Sequence, residues 1–426
     1  MPRVWTRVLD ASPVHLALLR IAVAGIILVS PELHRGAALA ADPSRLVSAP
    51  EGLAALGLVA PGLARVLYPV ALSAGVTALL GFWSRTSMAV LTLSAGLLFS
   101  LSSREGAVLH DMHLFWMTAL LAAAPCGDAL ALDAWGKARR APSKADAVAT
   151  AFARLFLGLV YLFPGIHKLA ASGLGWCAPS NAIGHMHAKW LQNGLVPPVR
   201  VDHVPWLCGV GAAFVVAFEL SFWLLGQLSR RTRLVALGCG LLFHFTTARL
   251  FFIPFPSLWV CYVVLLPTSL VERLDQRTET ADRAPSFYGV VVVGALVALA
   301  EIVQGARGQT QAWPFACYPT FEHVQGATSP DLVVEVRRGD DVRWLTGRER
   351  ATRSQTEWGR VYRVSGAYGD APNEPALRAH ATNVAVNAGI PDFDALVVRR
   401  AWVPTAPERW SAEPPHDGVL LATFTP

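Results

Sequence analysis

The sequence predicts a mainly α, polytopic membrane helix bundle of about nine spans, followed by a small β-rich extracytoplasmic C-terminal domain. Three observations carry this. Of the 426 residues, 53% are hydrophobic and only 15% charged, whereas soluble domains carry about a quarter of their residues as charges. Apolar runs recur through the first 309 residues, and a helical span needs roughly 20 mostly apolar residues. After Gln309 the chain becomes polar and rich in Arg and Pro, with short strand-like runs. The expected division is therefore 1–309 for the membrane domain and 310–426 for the second domain.

The nine candidate spans are 14–31, 62–82, 86–102, 108–125, 148–171, 205–228, 233–253, 255–271 and 286–304, the third and eighth being the shortest. Basic residues cluster in alternate loops: Arg3 and Arg7, then Arg85, then Lys137, Arg139, Arg140 and Lys144, then Arg230, Arg231 and Arg233, then Arg273, Arg277 and Arg283. The positive-inside rule then puts the N-terminus in the cytoplasm and, after nine crossings, the C-terminal domain outside. A cleaved signal peptide ending at AALAAD (Ala37 to Asp42) is the competing reading. It would leave eight spans and conflict with the charge pattern. The formal charge is +6, but residues 310–426 contribute −2 and the membrane part +8. The excess belongs to loops facing a lipid bilayer, and no nucleic-acid partner is expected.

The second domain offers strands at LVVEV (Leu332 to Val336), DVRWL (Asp341 to Leu345), RVYRV (Arg360 to Val364), ALVVRRAWV (Ala395 to Val403) and VLLATF (Val419 to Phe424), with helical spacing over Glu374 to Asn387. The segment SNAIGHMHAKWLQNG (Ser180 to Gly194) reads as a short helix at headgroup level, anchored by Trp176 and Trp190. Cys126, Cys208, Cys239 and Cys261 fall in or beside spans, as small core residues do. Cys177 and Cys317 are both expected outside, where a disulfide is chemically allowed. No P-loop, dinucleotide fingerprint, H-E-x-x-H or C-x-x-C occurs.

Ionisable residues inside hydrocarbon are costly and point to function by default. Five qualify: Arg20, His110, Lys168, Glu219 and His244. Arg20 and Glu219 lie near the middle of their spans and read as a structural ion pair that fixes helix register. Lys168, in YLFPGIHKLAAS, sits near the outer end of its span, where snorkelling competes with a functional role. His110 opens the fourth span in VLHDMHLFW and has His113 three residues on. No carboxylate or third histidine accompanies them at ligand spacing, so no metal is expected. His244 lies in mid-span, where snorkelling cannot relieve it.

Four stretches resemble those of the HTTM domain proteins, the family of vitamin K-dependent γ-glutamyl carboxylase. They are DASPVHLALLRIAVAG with PELHRG, HDMHLFWMTALLAAAPCGDALALD, YLFPGIHKLAASGLGW, and FHFTTARLFFIPFPSLWVCYVVLLP. WPFACYPTF (Trp313 to Phe321) is similar to the segment that follows the last span in bacterial members. The resemblance implies that Lys168 is the base that deprotonates a vitamin K-like hydroquinone, supported by His110. It also implies a quinone pocket at His244, Tyr161 and Arg249. Reduced quinone would be the cofactor, with oxygen and carbon dioxide as co-substrates and a secreted or periplasmic peptide or protein as acceptor. A lysine serves as a base near neutrality only where an apolar site disfavours its ammonium form.

The sequence departs from the carboxylase in three places. His167 stands where the carboxylase has a second lysine, Pro164 is inserted in that turn, and Arg249 replaces an amide side chain. About 117 residues follow the last span, far fewer than in the carboxylase. Two expectations therefore stand together: a carboxylase-like membrane enzyme that couples quinone oxidation to carboxylation or a related reaction, and a non-enzymatic scaffold that captures an extracytoplasmic partner through its C-terminal domain.

Overall fold

Proline stands at the start of half of the ten long helices described in the membrane part, because proline fixes φ and its missing N–H costs nothing in the first turn. Pro13, Pro31, Pro61, Pro179 and Pro205 all occupy first positions, in α1 (Pro13–Val29), α2 (Pro31–Ala41), α3 (Pro61–Leu80), α7 (Pro179–Asn193) and α8 (Pro205–Leu228). The remaining membrane-part helices are α4 (Ser84–Arg104), α5 (Met112–Ala123), α6 (Lys144–Ser172), α9 (Arg230–Leu250) and α10 (Tyr288–Ala306). The computed structural model describes residues 10–41, 61–104, 110–280, 285–308, 313–315, 321–345, 374–410 and 418–426.

All nine expected spans contain helix, but they differ in length and apolarity. Four helices among the described residues are long and apolar enough to cross a bilayer: Ser84–Leu101, Lys144–Cys177, Pro205–Leu228 and Tyr288–Ala306. Two bent pairs bring the total to six. One is α1 with the start of α2, bent by 46°, and the other is Pro256–Leu265 with Thr268–Leu274, bent by 96°. Prolines explain both bends, since Pro31 and Pro267 cannot donate to the preceding turn. The expected fourth span shrinks to the 12 residues of α5, too short for the bilayer core. Charges at Arg230, Arg231, Arg233 and Arg249 dilute α9.

The 29-residue helix α6 is central, packing on α5, α8 and α10. It begins at a capping box in which Asp146 accepts from the Ser143 N–H at 2.7 Å. Arg140 grips the same carboxylate through two bonds of 2.8 and 2.9 Å. Glycines set the approach of its neighbours. A Cβ on Gly158 would lie 2.5 Å from Trp223 of α8, and one on Gly305 of α10 would lie 2.2 Å from the Phe163 ring.

Arg20 does not pair with Glu219, contrary to the sequence expectation. It is fully buried on α1 and donates to the Cys126 carbonyl at 2.8 Å, to Ser84 Oγ at 3.3 Å and to the Leu130 carbonyl. Asp133 holds the same turn by accepting from the Trp83 and Ser84 N–H groups at 2.8 and 2.7 Å. The arginine thus satisfies a loop that a helix pair would leave open, and polar backbone away from water needs such partners.

In the C-terminal part, β1 (Thr328–Arg338), β2 (Asp341–Leu345), β3 (Ala395–Pro404) and β4 (Val419–Phe424) form an antiparallel sheet in the order β2-β1-β3-β4. Val334 pairs with Val398 in its centre. Helix α11 (Glu374–Asn387) covers one face, with Leu377, Ala381 and Val384 against Leu332, Val336 and Leu396. Four of the five expected strands and the helix appear here. RVYRV lies outside the described residues, as does Cys317, while Cys177 is a free thiol.

A charged clasp joins this part to the helices. Asp202, between α7 and α8, accepts from Arg200 at 2.9 and 2.7 Å and from His187 at 2.9 Å. Arg200 also reaches Glu408 at 2.7 Å. Burial alone would raise Asp202, but the hydrogen bonds from Arg200 and His187 outweigh it and hold the carboxyl at about 2. Arg200 also lowers Glu408. A depressed carboxylate contributes stability above its unfolded value, near 4, and loses it as pH falls toward the folded one.

Two outcomes follow. Arg20→Met leaves three buried acceptors without their donor and is expected to cost about 3 kcal/mol or more, read as a lowered unfolding midpoint in detergent. Hydrogen exchange over 404–410 is expected to stay slow from neutrality to about pH 4 and to rise below it. Asp202→Asn is expected to exchange fast at every pH; a wild-type profile flat to pH 2 counts against the clasp.

Candidate functional site

Lys168 lies four residues before the end of α6 and is only 2% exposed. Helical side chains lean toward the N-terminus, so its stem runs back along α6 rather than out of the bundle. Gly165 lies on the same stretch. A Cβ there would sit 3.0 Å from the Cβ of Glu219, so the glycine admits α8 to close range. The result is a buried ion pair in which Lys168 Nζ donates to both carboxylate oxygens of Glu219, at 2.7 and 2.8 Å. The ammonium also lies 5.1 Å from the centre of the Trp176 ring, a cation–π contact. The partner of Glu219 is thus Lys168. Arg20 is bonded to the 126–130 turn instead.

The pair lies in the wall of a cavity of about 520 Å³. Such a volume is typical of small-molecule sites, which are mostly apolar with a few placed polar groups. Here the apolar lining includes Met186, Leu207, Phe214, Leu242 and Phe255. Polar groups are few: Lys168, Glu219, Tyr161, His110 and His185 among them. Pro164 also lines the cavity. Having no N–H, it gives nothing to the carbonyl of Val160 one turn back.

Tyr161, His110 and Lys168 therefore line one cavity. His244 is 5% exposed and stands behind that wall. Its Nε2 is 2.9 Å from the Tyr161 hydroxyl and 3.1 Å from the Tyr262 hydroxyl, and the two hydroxyls are 2.6 Å apart. The histidine thus reaches the cavity through Tyr161. Phe255 packs edge-on against both His110 and His244, at 5.6 and 5.9 Å between ring centres. Arg249 is elsewhere. It is exposed on α9 with its guanidinium over the Phe245 ring and does not line the cavity. That corrects its expected place in the pocket, because its side chain follows the outward face of the helix.

His167 points away from Lys168. Its Nε2 bonds the Gly305 carbonyl of α10 at 2.8 Å, which is what adjacent helical positions require. Four contributors were not legible as site residues in the sequence: Glu219 as the partner of Lys168, and Trp176, His185 and Phe321. The last three close the Lys168 end of the cavity. Trp176 Nε1 donates to the Phe321 carbonyl at 2.6 Å, His185 lies 3.1 Å from the His323 carbonyl, and Ser172 donates to the Glu322 carbonyl at 2.9 Å. Burial lowers the His185 imidazole to about 4, so it faces the cavity neutral at physiological pH. Two further ionisable residues are buried in the helices: Arg154 on α6, bonded to the Val264 carbonyl at 2.8 Å, and Glu301 on α10. The described residues contain no group of three or more His, Cys, Asp and Glu suited to a metal ion.

Removing one member of a buried pair strands the other charge and costs about 3–5 kcal/mol. Lys168→Met and Glu219→Gln are each expected to destabilise on that scale, and the double variant less than their sum. Equal additivity in a double-mutant cycle of unfolding midpoints counts against the pair.

The chain matches no curated protein and no solved structure. The HTTM domain matches residues 11–270, which contain every helix that lines the cavity. With more than half of its length in that match and several apolar helices of spanning length, the chain is a multi-pass membrane protein of the HTTM domain family.

Proposed function

We propose that this protein is a vitamin K-dependent γ-carboxylase-like membrane enzyme that takes a proton from a reduced quinone at the Lys168–Glu219 pair. It would couple the oxidation to carboxylation, or a related reaction, of an acceptor on the extracytoplasmic face. The single observation that carries this is a buried lysine–carboxylate pair in the wall of a mostly apolar cavity. The cavity suits a quinone head: it is mostly apolar, of small-molecule size, and its few polar groups include the Lys168–Glu219 pair. Lys168, Glu219, Tyr161 and His110 would hold that head, with His244 behind Tyr161. A bound quinone would supply the two-electron redox chemistry that uses oxygen and drives carbon dioxide capture.

What the residues themselves do follows from their bonding. As an ammonium donating to Glu219, Lys168 has no lone pair with which to accept a proton. The pair accepts one at the Glu219 carboxylate, or at Lys168 after its own proton has crossed the 2.7 Å bond. Either way one cationic ammonium remains in the wall, where it favours an anionic partner in a low-dielectric site. Tyr161 has one O–H and two acceptor lone pairs. Its bonds to His244 and Tyr262 fix its hydroxyl in place and leave a lone pair for a ligand donor. Phe321, tied down by Trp176, helps to exclude water, which protects reactive intermediates.

Membranes holding the wild type are expected to consume oxygen when given a reduced naphthoquinone. Lys168→Met and Glu219→Gln are each expected to lower this by about 100-fold or more, the scale of a lost acid–base group. Wild type and variants behaving alike contradicts the assignment. Labelled bicarbonate entering co-purified extracytoplasmic protein tests carboxylation separately.

A further inference from the structure

The cavity is closed by protein on most sides but not between α8 and α9. Leu207 and Val210 of α8 and Leu242 of α9 all line it, yet they are 42%, 59% and 54% exposed. Gly211 lines it too, is exposed, and a Cβ added there meets no atom within 4 Å. On the inner side of the same helix Cys208 and Ala212 are buried, at 6% and 5%. Helix α8 is one of the four apolar, spanning-length helices, and a gap bordered by its exposed apolar side chains suits contact with lipid better than with water.

We infer that the gap between α8 and α9 at Gly211 is a lateral portal to the membrane. Through it an amphiphilic ligand reaches the Lys168–Glu219 pair with its head while its apolar tail stays in the lipid. The identity of the head rests on the proposed function; the portal does not. Gly211 is the specificity-determining position. Its missing side chain leaves room for a tail without enlarging the head site. An apolar tail has no hydration to lose there and gains contact with Leu207, Val210 and Leu242. A polar, tail-free metabolite would have to cross hydrocarbon to use the same opening.

The test uses the full-length protein in lipid nanodiscs with two isotope-labelled probes: 2-methyl-1,4-naphthoquinone without a tail, and the same ring bearing a long isoprenoid tail. Gly211→Trp is expected to weaken binding of the tailed probe about tenfold or more while leaving the tail-free one within about twofold. Leu228→Trp, an exposed substitution at the far end of α8, controls for bulk on the lipid face. Equal loss of both probes, or loss of neither, overturns the portal. A quinone-independent arm introduces Thr246→Cys on the cavity lining of α9 and follows its labelling by mass spectrometry. A lipid-anchored maleimide is expected to label it faster than a water-soluble one, and Gly211→Trp to slow the lipid-borne reagent about tenfold. Faster aqueous labelling overturns the portal. If neither naphthoquinone binds wild type but the lipid-borne reagent enters at Gly211, the quinone assignment fails and the portal stands.

Discussion

The pairing of Lys168 with Glu219 is the constraint around which this bundle is arranged. Two charges withdrawn from water repay their desolvation only if the geometry is close and the remaining hydrogen bonds are met. The chain meets this requirement with small residues. Gly165 brings α8 level with the stem of Lys168, and Gly158, about two turns earlier on α6, lets Trp223 settle against it. A larger residue at either position would push the helices apart and leave both charges in an apolar medium. The pair is not placed in the packed core, however. It faces a cavity, so the cost of keeping it there is spent on a group that a ligand can touch.

The helices were legible wherever length, apolarity and proline agreed. Pro13, Pro61 and Pro205 each begin a helix at the start of an expected span, because sequence alone shows where a backbone N–H is missing. The number of crossings was not legible. The run 108–125 looks continuous in hydropathy but has only 12 helical residues, and 255–271 folds on itself at Pro267. In the C-terminal part, short strand-like runs marked β1 to β4, whose apolar residues pack against α11.

Site residues were legible in proportion to how far they depend on their own helix. Tyr161 and Lys168, seven apart on α6, fall on one face and share the cavity. His110 joins them from α5's approach and His244 only through Tyr161. Partner choice was another matter. Arg20 and Glu219 both sit near the middle of their spans, and depth alone suggested a pair. The actual partners depend on which helices are neighbours, and α1 turns its arginine to the carbonyls of the 126–130 turn. Arg249 failed for a similar reason, since one residue along a helix changes the face by about 100°.

Phe321 and the bonds from Ser172, Trp176 and His185 to residues 321–323 make the start of the C-terminal part a roof over the cavity. The C-terminal part and the Lys168–Glu219 pair therefore border the same cavity. The most direct test of the central claim is the infrared difference spectrum on adding a reduced naphthoquinone to the protein without oxygen. The account predicts a new carboxylic-acid C=O band that shifts in D₂O and is absent in Glu219→Gln. A spectrum in which quinol binds and Glu219 stays a carboxylate, with no proton gained by the pair, would contradict it.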